Sequence, residues 1–100
     1  MAELTIVYWR DIPAQVIVKA GRRQARRQLD PRFQEAIDRA AMRAGLAGTD
    51  DYLGEWRRGA PEPCGDDVEA AAEAAKQRLE AEFSPGVLAR MIAAGGREEK

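Results

Sequence analysis

The sequence predicts a small α+β domain in which an N-terminal antiparallel β-hairpin packs against three to four helices. Three observations predict it. Leu4-Thr5-Ile6-Val7-Tyr8-Trp9 and Gln15-Val16-Ile17-Val18-Lys19 are two runs rich in β-branched and aromatic residues. Asp11 and Pro13 stand between them as turn formers. From Asp30 onward, apolar residues recur at spacings of three and four behind residues that cap helix starts.

The segment from Arg10 to Ala14 is short enough to close a hairpin and long enough for a bulge or wide loop. Leu4, Ile6 and Tyr8 share one strand face and Thr5, Val7 and Trp9 the other. Neither face is clearly polar, so cover is expected on both. A lone two-stranded ribbon is marginal in water and its edges invite pairing. Helices are therefore expected on the hairpin, and a homodimer is expected through its edge. After Gly21, Arg22 to Gln28 lacks β-branched residues and reads as a short helical turn or connector, anchored by Leu29.

Asp30-Pro31 starts the most clearly marked helix, with Phe33, Ile37, Ala40, Ala41 and Ala44 as its buried stripe and Gly45 as its end. Thr49 caps a second, short helix expected to run to Arg58, with Tyr52, Leu53 and Trp56 on one side and Gly59 closing it. Ala60-Pro61-Glu62-Pro63-Cys64-Gly65 reads as a linker. It separates residues 1–60 from residues 61–100 within one small unit. Asp66 or Asp67 then caps a long helix to about Phe83, along which Val68, Ala72, Ala75, Leu79 and Phe83 step by three and four. Ser84-Pro85 opens a final helix carrying Val87, Leu88, Met91 and Ile92.

A length of 100 residues with 45% hydrophobic and 33% charged side chains fits one globular domain. The net charge is −1, but residues 1–60 carry +3 and residues 61–100 carry −4. Such asymmetry marks either an interaction surface or an acidic helix lying across the basic part of the same chain. There is no histidine, so neither a Ser-His-Asp nor a Cys-His arrangement can be built. The single cysteine, Cys64, rules out an intramolecular disulfide and a Cys/His zinc site. Phosphate-binding glycine motifs are missing, and the acid pairs Asp50-Asp51 and Asp66-Asp67 fall where helix caps are needed. No cofactor and no metal are expected. The start of the chain has no signal-peptide pattern, and no apolar run approaches a membrane span, so a reducing cytoplasm is expected.

The candidate binding residues are Tyr8, Trp9, Arg10, Asp11 and Gln15 at the hairpin turn, with Arg22, Arg23, Arg26 and Arg27 beyond it. Residues 19–32 carry a local charge of +5. Guanidinium groups suit bidentate binding of carboxylate or phosphate. The blander reading makes the run a solvated face, or pairs it with Glu35, Asp38 or the acidic third helix. Tyr8 and Trp9 beside arginines also suit stacking of single-stranded nucleic acid, although aromatics on so small a domain are more often core and a pI near 5.5 is low for such a role.

The stretch Tyr8-Trp9-Arg10-Asp11-Ile12-Pro13-Ala14-Gln15-Val16, with Arg32-Phe33-Gln34-Glu35-Ala36-Ile37-Asp38 and Ala41-Met42-Arg43, resembles the small bacterial domain family called "virulence factor". The resemblance covers about residues 3–60 and leaves the acidic helices outside. It implies an accessory role, linked to bacterial virulence or to one-carbon methyl-transfer metabolism, and brings no defined active site. The expected function is a non-catalytic binding or accessory module presenting the hairpin and the Arg22–Arg32 surface to an anionic protein partner or a small anion. Two alternatives stand beside it: a small enzyme subunit with polar groups around the hairpin turn, and a single-strand nucleic-acid binder.

Overall fold

In the computed structural model, which describes residues 2–97, the hairpin strands are β1, Ala2–Trp9, and β2, Ile12–Ala20, paired antiparallel. The connection is only Arg10-Asp11, tighter than expected, and the bulge lies inside the ladder. Val7 faces Gln15 and Tyr8 faces Pro13, so Ala14 is the extra residue in β2. Arg10 takes a left-handed φ of 52° without being glycine. Its N–H donates to Glu55 O at 3.1 Å and its Nη1 to Gly95 O at 2.9 Å, contacts that hold the strained turn in place.

The segment after Gly21 is not helical: Arg23–Gln28 is a third strand, β3, paired antiparallel with β2. Helix-forming side chains are overridden here by pairing along the open edge of β2 and by burial of Ala25 opposite Val18. Charged side chains then blunt the outer edge of β3. Helix α1, Pro31–Arg43, follows with Asp30 as its N-cap, and its buried stripe is Phe33, Ala36, Ile37, Ala40 and Ala41. Ala44 is only half-buried.

The second expected helix is cut short. Helix α2 is Asp50–Gly54, capped by Thr49, and the residues after it form β4, Trp56–Arg58, against Val7–Trp9 of β1. The expected linker also holds a strand. Glu62–Cys64 is β5 and pairs with Ala2–Leu4 further along the same edge of β1. Pro63 is tolerated there because an edge strand can do without its N–H. Both free edges of the hairpin are thus taken within the chain, one by β3 and the other by β4 and β5. The strand order is β3-β2-β1-β4, with β5 also on β1.

Helix α3, Val68–Glu82, capped by Asp67, lies against β1, β2 and β3. Helix α4, Pro85–Ala93, capped by Ser84, packs on α1. Leu4, Ile6, Val16, Val18 and Ala25 from the sheet join Val68, Ala72, Ala75 and Leu79 of α3 and Phe33 and Ile37 of α1 in one core. No helix among the described residues is long and apolar enough to cross a membrane.

Candidate functional site

At the hairpin turn, the candidate residues separate into packing and surface groups. Trp9 is fully buried; its Nε1 donates to Tyr52 O at 2.9 Å and its ring lies 5.6 Å from the Tyr52 ring. Gly96 meets the same indole so closely that an added Cβ would sit 2.7 Å from Cζ3. Arg10 covers the indole at 5.2 Å and reaches Glu55 at 3.5 Å and Gly95. The Asp11 N–H donates to Gly96 O at 2.9 Å. These groups clasp the end of α4 to the turn. Tyr8 and Gln15 remain half-exposed but open into different hollows: Tyr8 lines one with α3, and Gln15 lines another of about 360 Å³ with Gln28, Gln34 and Trp56.

The arginine run is divided by strand alternation, since successive side chains of β3 point to opposite faces. Arg23 and Arg27 face α3. Arg23 Nη2 donates to Asp66 O at 2.6 Å, and Arg27 pairs with Glu69 and, at 3.3 Å, with Glu73. The hydrogen bond that Arg27 donates to Glu69 is the main cause that holds its guanidinium protonated above its usual range. Glu73 is displaced below the usual carboxylate range, first by the hydrogen bond from Gln77 and then by Arg27. Arg26 faces the other way, opposite Ile17 of β2. With the Gln24 carboxamide oxygen turned toward it, Arg26 Nε donates at 2.7 Å. Arg22 is exposed in the β2–β3 turn.

The sheet face turned away from α3 therefore has its own composition. Glu3, Thr5 and Val7 alternate with the core residues of β1, as Ile17 and Lys19 do on β2, and Arg58 of β4 lies opposite Val7. Ile17 is only 3% exposed although no helical residue lines the hollow above it. That hollow, about 210 Å³, is bounded by Glu3, Thr5, Ile17, Lys19, Arg58 and Pro61. Among the described residues, Lys19, Arg22, Arg26 and Arg58 have no carboxylate in ion-pair range.

On the α3 side, a groove of about 650 Å³ lies between α3 and the β4–β5 connection. Tyr8 forms its floor with Ile6 and Leu79. The Arg57 guanidinium lies 4.5 Å over the Tyr8 ring, donates from Nε to Arg10 O at 3.1 Å and reaches Asp11 at 3.4 Å. Gly59 backs onto the same ring, where a Cβ would come within 3.1 Å of Cε2 and 3.3 Å of Ile6 O. The Tyr8 hydroxyl is pushed above its ordinary range, chiefly by burial, with Arg57 opposing and Glu62 and Glu82 adding to the rise.

Sequence reasoning missed Arg57, Arg58, Glu62 and Arg78. The Trp56-Arg57-Arg58 run is the signal that points to the first two. Read as strand rather than helix, it sends Arg57 to the groove and Arg58 to the opposite face.

The architecture defines the class first: a small antiparallel sheet with an intrachain partner on each hairpin edge and helices packed against it. The family model described as "Virulence factor" matches residues 7–92, so the chain belongs to the virulence factor domain family. The match runs through α3 and nearly all of α4, well past the stretch of about 3–60 that carried the resemblance in sequence. No curated protein and no solved structure matches the chain.

Proposed function

We propose that this virulence factor domain is a non-catalytic accessory module of the cytoplasm that presents the sheet face turned away from α3 to an acidic surface of a partner protein. One observation carries the reading: Lys19 and Arg58 line the hollow at Ile17 and Arg26 stands opposite Ile17 on β3, none of them in ion-pair range of a carboxylate among the described residues even though Glu3 borders the same hollow, while Arg23 and Arg27 of the same run are engaged by Asp66 O and by Glu69 and Glu73 of α3. A face that presents cations without ion-pair partners favours charge-steered association, which salt weakens. Of the residues the enzyme-subunit alternative drew from the hairpin turn, Tyr8 and Asp11 share one groove and the other two do not join them. Arg10 is committed to Gly95 and Glu55, and Tyr8 and Gln15 open into separate hollows.

The test compares wild type with Lys19→Ala/Arg26→Ala/Arg58→Ala as bait in native-source lysate at low and moderate salt, with crosslinks mapped to residues. The reading expects one partner whose crosslinks fall on β1, β2 and β4 and whose recovery drops in the variant and with salt. Equal recovery by both baits, or crosslinks confined to the helices, counts against it. Trp56 beside Gln15 and Gln28 on this side keeps a second reading in view, single-stranded nucleic acid stacked on that indole. It expects nucleic acid rather than protein in the same eluate, lost on Trp56→Ala.

A further inference from the structure

The Tyr8 groove lies on the α3 side of the sheet and has a chemistry of its own. Arg57 is engaged by Asp11, Arg10 O and the Tyr8 ring, which leaves Glu62, Arg78 and Glu82 as its charged groups without an ion pair or hydrogen bond among the described residues. Glu62 belongs to β5 and Glu82 to the last turn of α3, so the carboxylates stand on facing walls. Arg78 and Glu82 stand four residues apart on α3, and among the described residues the two are not bridged. Among the described residues the Tyr8 hydroxyl has no hydrogen-bond partner either, and Ile6, Leu79 and Phe83 supply an apolar floor. At about 650 Å³ the hollow has the size of small-ligand sites.

We propose that this groove binds a basic amino acid, arginine or lysine, free or within a peptide, with its cationic head between Glu62, Glu82 and the Tyr8 hydroxyl. The aliphatic stem lies on Ile6, Leu79 and Phe83, and Arg78 takes the carboxylate or backbone carbonyl at the other end of the ligand. Each unpartnered group of the groove is thereby used: two carboxylates for the cation, one guanidinium for the anionic or dipolar end, and a hydroxyl for an N–H. Gly59 is part of the design, because a side chain there would press on the Tyr8 ring from behind.

The test follows backbone amide NMR shifts on adding free arginine, the capped tripeptide Ala-Arg-Ala, and the same tripeptide with neutral citrulline for arginine. Saturable shifts at Gly59, Glu62 and residues 78–83 with either arginine probe support the site, and the tighter of the two identifies the source as free amino acid or peptide. Glu62→Gln/Glu82→Gln removes charge but not shape from exposed positions and is expected to weaken binding at least about tenfold, since charge-assisted hydrogen bonds are lost. Tyr8→Phe is expected to weaken it severalfold. Equal binding of the citrulline peptide, shifts located elsewhere, or an unaltered affinity in the double carboxylate variant would overturn the proposal. The Lys19→Ala/Arg26→Ala/Arg58→Ala variant is expected to bind the arginine probes normally, so failure of the sheet-face reading and failure of this one are told apart.

Discussion

Arg26 and Arg27 are neighbours on one strand, yet they belong to different parts of the molecule. Arg27 is held against Glu69 and Glu73 of α3, whereas Arg26 lies on the opposite sheet face beside Gln24 and over Ile17. The difference arises from the period of two in a strand and from nothing in the residue type. A cluster of like charges in sequence is therefore a poor guide to a cluster in space. Arg23 and Arg27 join the sheet to the segment that carries α3, whereas Arg26 shares the opposite face with Lys19 of the same run and with Arg58 from far along the chain.

The comparison can be broken most strongly from beneath both faces. Trp9 anchors the hairpin turn to α1, α2 and the end of α4, and it is fully buried. Trp9→Ala is expected to destabilise by about 3–5 kcal/mol in urea unfolding, as buried aromatic truncations do. A loss under about 1 kcal/mol, the scale of a surface change, would show that the turn does not carry the fold. Gly96→Ala attacks the same contact from the other side. Its φ of 93° and the 2.7 Å approach to the indole leave no room for a methyl group, so about 1–3 kcal/mol is expected. A neutral result would mean that the C-terminal turn swings away without cost.

The two arginines give a smaller and more pointed contrast. Arg27→Ala is expected to lower the melting temperature, less so at high salt, because exposed ion pairs are screened. Arg26→Ala should stay within about 0.5 kcal/mol of wild type, as for an uninvolved surface residue. The effect of Arg27 should also depend on pH in a definite direction. Glu73 ionises below its ordinary value of 4.5 in the folded state, so the stability it contributes is present above that value and fades as pH falls through the lower folded one. Thermal melts of wild type and Arg27→Ala should therefore converge in acid. A gap that widens instead would assign the contact to something other than the ion pairs.

The hairpin was legible from its two β-branched and aromatic runs on either side of Asp11 and Pro13, and α1, α3 and α4 because each carries a cap and a matching apolar period, as at Asp30-Pro31 with Phe33 and Ile37. The strands β3, β4 and β5 were not. Arg23–Gln28 has the composition of a helix surface, and only the open edge of β2 makes it a strand. Trp56–Arg58 and Glu62–Cys64 are three residues each, too short for a period, and both exist because β1 offers an edge. The groove was hidden for the same reason. Tyr8 and Asp11 were singled out as candidates, but the walls that face them come from β5 and α3, far along the chain. Long-range pairing of this kind is dictated by tertiary context, which local propensity does not encode.

The smallest expected effect lies in the groove itself and reads its electrostatics directly. Burial raises the Tyr8 hydroxyl above its ordinary 10.0, and Arg57 is the first group to oppose that rise. The folded state therefore favours the neutral phenol, and stability should decline as pH climbs from 10.0 toward the higher folded value. The chain has two tyrosines, so Tyr52→Phe isolates Tyr8 in an absorbance titration. In that background Tyr8 is expected to ionise later than a free phenol, and adding Arg57→Gln should delay it further by removing the opposing charge. If Arg57→Gln instead advances ionisation, the guanidinium acts mainly by covering the ring from water. The face of the groove next to Asp11 is then built by packing rather than by charge, unlike the carboxylate walls across from it.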